Sequence, residues 1–260
     1  MASVLALAAL TVVACGSGGN TAGNSSNGQG ANSGYNQVAN QNSVGTPQQG
    51  GTLQIVGMSD IDHLDTASAY TTYSSDILRT MTRQLFAYPA SANTDTATNP
   101  VADLATQLPT QANGGLSADG KTYTIHLKQG VDWNTSPPRQ VTAQDEVLGI
   151  KRLCNPYAEA GAPQYYTDTI VGMATFCSNF ATVPQTIDAY KQYLTGTNIP
   201  GVKAVNASTV QFTLTKPASD FVNILSMGFA SPSPVEYLNY MPDDPNFRQN
   251  TISDGPYKIS

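Results

Sequence analysis

The densest group of potentially reactive side chains is the segment 60–65, which reads Asp-Ile-Asp-His-Leu-Asp. Its carboxylates flank His63, and these residue types could supply a metal site or a general base. The glycine and the terminal glutamate of an EF-hand calcium loop are absent, however. The sequence also lacks the G-x-S-x-G elbow of many serine hydrolases. We therefore expect a capped turn with solvated charges rather than a catalytic centre.

The cysteines separate into one near the N-terminus, Cys15, and a later pair, Cys154 and Cys177. In an exported chain an even pair favours a disulfide, which would stabilise the fold by roughly 3 kcal/mol. Metal ligation is the competing interpretation, but His63 and His126 lie far along the chain and there is no C-x-x-C spacing. The disulfide is therefore favoured, and we expect neither a metal nor a cofactor.

The N-terminus has the features of an export signal. Residues 4–14 are apolar apart from Thr11, and this run is shorter than the roughly 20 residues that cross a bilayer. It leads into Val-Val-Ala-Cys, which resembles a bacterial lipobox with Cys15 as the lipidated residue. No Lys or Arg precedes the run, so the true start could lie upstream. We assign residues 1–15 to a lipoprotein signal peptide; an ordinary signal with a chance cysteine is the alternative.

Composition divides the rest of the chain in two. Residues 16–50 carry no charged side chain and are almost entirely small or polar, which predicts a disordered tether. Residues 51–260 are long enough for one large domain or two lobes. The net charge of −6, with only 12% charged residues, argues against a nucleic-acid partner.

The elements that must position any site are clearest between residues 116 and 152. Asp119-Gly120 predicts a tight turn, and apolar residues alternate with polar ones over 123–127, as in a strand with one buried face. Thr142 is placed to cap a helix, and Asp145 at its third position complements the positive end of the helix dipole. The segment 116–152 is therefore predicted to form a strand, a loop and a capped helix, in that order.

Periodicity predicts further elements over the remaining sequence. Strands are expected at 52–56, 202–205, 209–214 and 254–259. Helices are expected at 74–86, 101–108, 142–154, 187–196 and 221–228. This mixture indicates an α/β (mixed α+β) fold.

The order of these motifs resembles the extracellular solute-binding proteins of family 5, which include the dipeptide- and oligopeptide-binding proteins of ABC importers. Residues 117–147 resemble the family segment S-D-G-K-x-Y-T-F-x-L-R-x-G-V-x-F-x-D-G-x-P-x-T-A-x-D-V, with Lys128 in place of Arg. Weaker resemblances in family order lie at 51–53, 62–65, 101–105, 202–214 and 254–257. The resemblance implies a periplasmic-binding-protein-like type II fold. It further implies that residues 51–260 are the first lobe, incomplete, with a second lobe to follow Ser260.

The resemblance also implies a function. It predicts a substrate-binding lipoprotein of an ABC transporter that captures peptides or similar small solutes and delivers them to membrane permease subunits. Such a receptor is not an enzyme, and we expect a monomer held by its lipid on the outer face of the bacterial cytoplasmic membrane. A secreted lipid-anchored hydrolase and a structural or adhesive surface lipoprotein are the alternative classes.

The expected ligand contacts follow the family's first strand, which places them at Gly57, Met58, Ser59 and Asp60. Asp60 could meet a ligand amine, and a turn or cap role is the alternative. Met227 and Phe229 are further candidates, with a buried helix end as the alternative. We expect Trp133 in the core, whereas pocket and surface positions are both open to Tyr70, Tyr73, Tyr165 and Tyr166.

Overall fold

A computed structural model describes residues 52, 54–156, 163–242 and 244–259. The predicted signal peptide, the tether and the lipidation site Cys15 lie outside these residues. The strands are β1 Phe86–Ala87, β2 Val101–Ala102, β3 Thr122–His126, β4 Asp132–Trp133, β5 Arg139–Gln140, β6 Val202–Asn206 and β7 Thr209–Thr213. The helices are α1 Thr72–Met81, α2 Thr94–Ala97, α3 Ala143–Arg152, α4 Gln164–Thr167, α5 Met173–Phe180, α6 Ile187–Gly196, α7 Phe221–Ile224 and α8 Pro245–Gln249. Two 3₁₀ turns, η1 Gly228–Ala230 and η2 Val235–Asn239, follow α7.

A three-stranded antiparallel sheet in the order β3–β7–β6 forms the centre, and α3 packs against β6 and β7. Tyr123 is opposite Phe212 and Ile125 is opposite Val210, so the alternating apolar side chains pair across the sheet and are buried. The predicted strand at 123–127 and the predicted hairpin at 202–214 are therefore confirmed.

The predicted cap of α3 is also confirmed. The Asp145 carboxylate accepts hydrogen bonds from the backbone N–H of Thr142 (2.8 Å) and from its hydroxyl (2.9 Å). Arg139 donates to both oxygens of the same carboxylate, at 3.1 and 3.0 Å. The start of α3 is thereby fixed to the end of β5.

The chain after η1 runs directly against α3. The backbone approaches so closely that a Cβ on Gly149 would lie 2.2 Å from the carbonyl oxygen of Ser231. The N–H of Ser233 also donates to the carbonyl oxygen of Asp145 at 2.9 Å. A glycine at this point of α3 is therefore required by packing, and the segment 231–233 is held along the helix.

A disulfide joins Cys154, just beyond α3, to Cys177 in α5. This is the pairing that the sequence favours. Around α5 and α6 lies a group of aromatic rings, in which Phe180 stacks on Tyr193 at 5.0 Å and tilts against Tyr190 at 4.8 Å. The disulfide links α5 to the end of α3, and these rings pack α5 against α6.

A buried ion pair connects the turn before α1 to the last turn of α3. Arg152 donates to both oxygens of Asp65, and the two residues are only 6% and 3% exposed. The guanidinium also donates to the Ser233 hydroxyl at 3.0 Å and lies over the ring of Tyr237 at 5.2 Å. Because an unpaired buried charge is costly, these segments must assemble together.

Two predicted elements are wrong, because pairing with distant segments, or the lack of it among the described residues, decides the backbone conformation. Residues 101–108 are not helical: Phe86 is paired with Ala102, and the N–H of Ala105 donates to the carbonyl of Leu85 at 3.1 Å. Residues 52–56 do not form a strand where they are described, and Val56 is 96% exposed. No strand among the described residues pairs with them, and a strand needs such a partner.

Helix α1 starts near the predicted position but ends at Met81 rather than at 86. Residues 254–259, expected as a strand, do not form one, and residues 254–257 instead cap the end of this helix. The carbonyl oxygen of Met81 accepts from the N–H groups of Asp254 (3.2 Å) and Gly255 (2.8 Å), and that of Thr80 accepts from Tyr257 (3.1 Å). These bonds satisfy orphan carbonyl groups of the helix terminus. The helix predicted at 221–228 is also shorter, with α7 ending at Ile224.

The buried pair gives the first prediction. Changing Asp65→Asn leaves the charge of Arg152 without a counter-charge in the core, and we expect a loss of about 3–5 kcal/mol in the free energy of unfolding. The control is Asp103→Asn, whose pair with Arg83 is 19% and 33% exposed and whose loss should cost about 0–1 kcal/mol. Urea denaturation measures both. Equal losses in the two variants would contradict the role given to Asp65.

Candidate functional site

The acidic segment 60–65 fastens the chain to the start of α1. The side chain of Asp62 accepts from the backbone N–H groups of His63 (2.8 Å), Tyr70 (2.9 Å) and Thr71 (3.1 Å). Burial raises the pKa of Asp62, but the hydrogen bonds with Ser74, Tyr70, His63 and Thr71 outweigh it and hold that pKa below its usual range. The Asp62 carboxylate therefore has a structural role.

The expected capped turn is present; the expectation of solvated charges holds for the exposed Asp60 but is wrong for Asp65. Asp62 is half-buried and Asp65 is buried in its pair with Arg152. Asp60 accepts from the N–H of Ile61 at 2.8 Å, which is a turn role. Among the described residues no group of three His, Cys, Asp or Glu side chains could hold a metal ion.

A cavity of about 160 Å³ lies between α1, the segment 82–88 and η1. One wall comes from the turn 66–69, which the Asp65–Arg152 pair positions. The opposite wall comes from Gly228 and Phe229, which precede the segment held along α3. The polar lining residues include Ser75, Gln84 and Ser226, together with Arg79 at the mouth. The chain segments that carry the two walls are thus connected through the buried ion pair.

The predicted ligand contacts are distributed unevenly around this cavity. Phe229 lines it, whereas Met227 is partly buried and packs on the hydrophobic core. Gly57 lies beside α1, where an added Cβ would be 3.3 Å from the ring of Tyr73. Gly57, Met58, Ser59 and Asp60 are all exposed, and none of them lines the cavity. Their contact with a ligand stays a prediction.

An exposed aromatic group lies beside the cavity. Tyr70 is 67% exposed, and its ring centroid is 6.2 Å from that of Phe229. Tyr165 also lies near Tyr70. Burial raises the pKa of Tyr165, and Tyr70 adds a smaller electrostatic contribution. Tyr166 and Trp133 are instead fully buried, and the Tyr166 hydroxyl donates to the carbonyl of Ile224 at 2.8 Å.

Other lining residues have no signal in the sequence. Thr66, Arg79, Gln84 and Tyr88 belong to a turn, a helix and an extended segment, and no motif links them. The Gln84 amide donates to the Ser231 hydroxyl at 3.2 Å, which joins the two sides below the cavity. Contacts between residues apart in the sequence, such as Gln84 with Ser231 and Arg79 with the carbonyl of Tyr88, bring these side chains together.

Two buried carboxyl groups lie near the end of α1 and the start of α3. Glu146 is 1% exposed, and neither of its oxygens has a hydrogen-bond partner among the described residues. Burial, reinforced by Asp254 and Asp145, raises its pKa well above the usual value. Burial likewise raises the pKa of Asp254 to about 7, although the N–H of Arg83 donates to this carboxyl at 3.1 Å. Both groups therefore favour the protonated form in the folded chain.

Solved structures of oligopeptide-binding proteins share this fold. The clavulanic acid biosynthesis oligopeptide binding protein 2 superposes with a TM-score of 0.63 at 24% identity, over 81% of this chain and 34% of its own. This similarity shows the fold, which is part of a type II periplasmic-binding-protein-like fold. The predicted fold class is thus confirmed.

The sequence comparison defines the family. The profile of the bacterial extracellular solute-binding proteins, family 5 Middle, matches residues 99–260, and the chain belongs to this family. The dipeptide-binding protein of Escherichia coli K12 is 31% identical over 160 residues, which cover 55% of this chain and 25% of that protein. The oligopeptide-binding protein AliA of Streptococcus pneumoniae is 30% identical over 152 residues, covering 55% and 20%. The chain thus spans a quarter or less of the length of these relatives.

The buried carboxyl groups predict a pH dependence. The folded-state pKa of Asp254 is raised to about 7, so folding favours its protonated form. Its contribution to the free energy of unfolding is therefore complete below pH ~4 and is lost as the pH rises through 7. We expect the chain to be less stable at pH 8 than at pH 5, by up to a few kcal/mol, since one pKa unit corresponds to about 1.4 kcal/mol. Asp254→Asn should reduce the slope of the free energy of unfolding against pH. Adding Glu146→Gln should remove most of the pH dependence that remains.

Urea denaturation midpoints at the two pH values measure the effect. Asp168→Asn is the control, because Asp168 is exposed and its loss should leave the slope unchanged. A slope that is identical in the wild type and in Asp254→Asn would contradict the assignment.

Proposed function

We propose that this chain is the ligand-binding part of a substrate-binding lipoprotein that captures peptides outside the cell for an ABC transporter. The observation that carries the proposal is the cavity beside α1, with Tyr70 and Phe229 at its edge. Aromatic side chains with small polar groups are typical of sites that accept varied apolar side chains while fixing orientation. Its volume of about 160 Å³ is below the roughly 300 Å³ of complete ligand sites, so we assign it one side-chain subsite.

The exposed segment 54–58 supports an extended ligand. No strand among the described residues pairs with it, although its sequence has the β-branched residues of a strand. Unpaired backbone N–H and C=O groups can hydrogen-bond to an added strand, which is a common way of recognising peptides. The relatives' names, dipeptide-binding and oligopeptide-binding protein, point to the same ligand class.

The proposal includes the location. Cys15, after the apolar run 4–14, would carry the lipid, and residues 16–50 would tether the binding domain of residues 51–260. In the described part of the chain, no helix is both long and apolar enough to span a membrane. The receptor would act as a monomer without a cofactor or a catalytic group, and would release its ligand to the permease.

Peptide capture is tested by titrating trialanine into the ¹⁵N-labelled chain and following amide shifts by NMR, which detects weak as well as tight binding. We expect shifts at Ala69 and Gly228, which line the cavity. Tyr70→Ala should weaken binding about fourfold, since covering one apolar carbon group contributes about 0.8 kcal/mol. Val205→Ala is the control, because Val205 is 52% exposed on β6 and does not line the cavity. Saturating peptide without shifts at the cavity would refute the proposal.

Anchoring is tested separately by expressing the chain in a bacterium and partitioning the lysate with Triton X-114. The wild type should enter the detergent phase because its diacylglyceryl group is apolar. Cys15→Ser should move it to the aqueous phase, whereas Ser17→Ala should not. Recovery of both variants and the wild type in the aqueous phase would show that the lipobox resemblance is misleading.

A further inference from the structure

Arg79 lies where two depressions of the surface meet. It is in the last turn of α1 and is exposed. It lines the cavity described above and also a shallower cleft, of about 530 Å³, between Thr82, Gly130 and Pro256. Among the described residues that line the cavity, Arg79 is the only charged one. Any charged ligand group that enters the cavity therefore meets a cation.

The guanidinium of Arg79 is oriented by a hydrogen bond but has no carboxylate partner among the described residues. It donates to the carbonyl oxygen of Tyr88, which fixes its direction. Arg83 pairs with Asp103, Arg139 with Asp145 and Glu236, and Arg152 with Asp65. Arg248, like Arg79, instead donates to a backbone carbonyl, that of Asp62. Within the described residues, no carboxylate forms an ion pair with Arg79. Its remaining N–H donors are thus available on a chain whose overall charge is −6.

We propose that Arg79 binds a carboxylate of the ligand at the mouth of this cavity. A guanidinium offers a planar fork of donors that matches a carboxylate, and such charge-assisted hydrogen bonds are stronger than neutral ones. Gln84 is also in the lining, and because its amide donates one N–H to Ser231, a second N–H remains for the other carboxylate oxygen. The cavity lining contains no acidic side chain that would repel the anion.

This inference rests on the proposed peptide-binding function and specifies how the peptide is oriented. In a short peptide the carboxylate is either the C-terminus or an acidic side chain. A bound C-terminus would place the last side chain in the cavity and direct the rest of the chain outward, past the rings of Tyr70 and Phe229. The site would then select ligands by their end group as well as by the shape of one side chain.

The test compares three peptides by NMR titration at constant ionic strength: trialanine, trialanine amide and Ala-Asp-Ala amide. We expect the wild type to bind trialanine about tenfold more tightly than trialanine amide, as a charge-assisted hydrogen bond allows. If Ala-Asp-Ala amide matches trialanine, the subsite takes any carboxylate; if it matches trialanine amide, the subsite takes the C-terminus. Either result supports a carboxylate site.

Arg79→Gln should bind trialanine and its amide equally, and Arg79→Lys should show an intermediate ratio because it retains the charge but not the fork. Lys216→Gln is the matched control: it removes one exposed positive charge away from the lining and should keep the tenfold ratio. Circular dichroism checks that each variant is folded.

Two negative results are distinguishable. A wild type that binds all three peptides with one affinity, or a ratio that survives in Arg79→Gln, overturns the role of Arg79 and leaves peptide capture standing. A wild type that binds none of the peptides overturns the proposed function, and the carboxylate site with it.

Discussion

The buried pair of Asp65 and Arg152 is the constraint on which the site depends. Neither charge can be left alone in the core, so the turn before α1 and the last turn of α3 have to meet. The same guanidinium binds Ser233 and lies over Tyr237, which fixes the chain that follows η1. Both walls of the cavity are attached to these segments. A single ion pair thus couples the stability of the lobe to the shape of its candidate ligand site.

A second set of contacts acts at the end of α1. The segment 253–257 caps the helix with backbone N–H groups, which brings the Asp254 carboxyl into a buried position. Glu146 is buried nearby without a hydrogen-bond partner among the described residues. A hydrophobic residue at either position would avoid this desolvation penalty. The lobe therefore contains polar groups that weaken its stability at neutral pH, close to the cleft where Arg79 is exposed.

Local patterns in the sequence predict some elements well and others poorly. The strand β3 and the hairpin β6–β7 alternate with period two, and α3 has its own cap residues, so short-range information is sufficient for them. Residues 101–108 have a helical pattern but form the short strand β2 and bends, because the backbone of residues 84 and 85 accepts the hydrogen bonds of residues 103–105. Among the site candidates, Phe229 lines the cavity, while Arg79 and Gln84 carry no motif that could have indicated their role.

The sequence by itself determined the mixed α/β class, the favoured pairing of Cys154 with Cys177 and the resemblance to the solute-binding family, because each depends on composition, periodicity or ordered motifs. Only the tertiary structure decided which charges are buried, which carbonyl groups cap α1 and which side chains surround the cavity. Those properties depend on contacts between residues far apart in the chain, such as Asp65 with Arg152 and Gln84 with Ser231. Burial and distance, rather than residue type, separate Arg79 from the paired arginines.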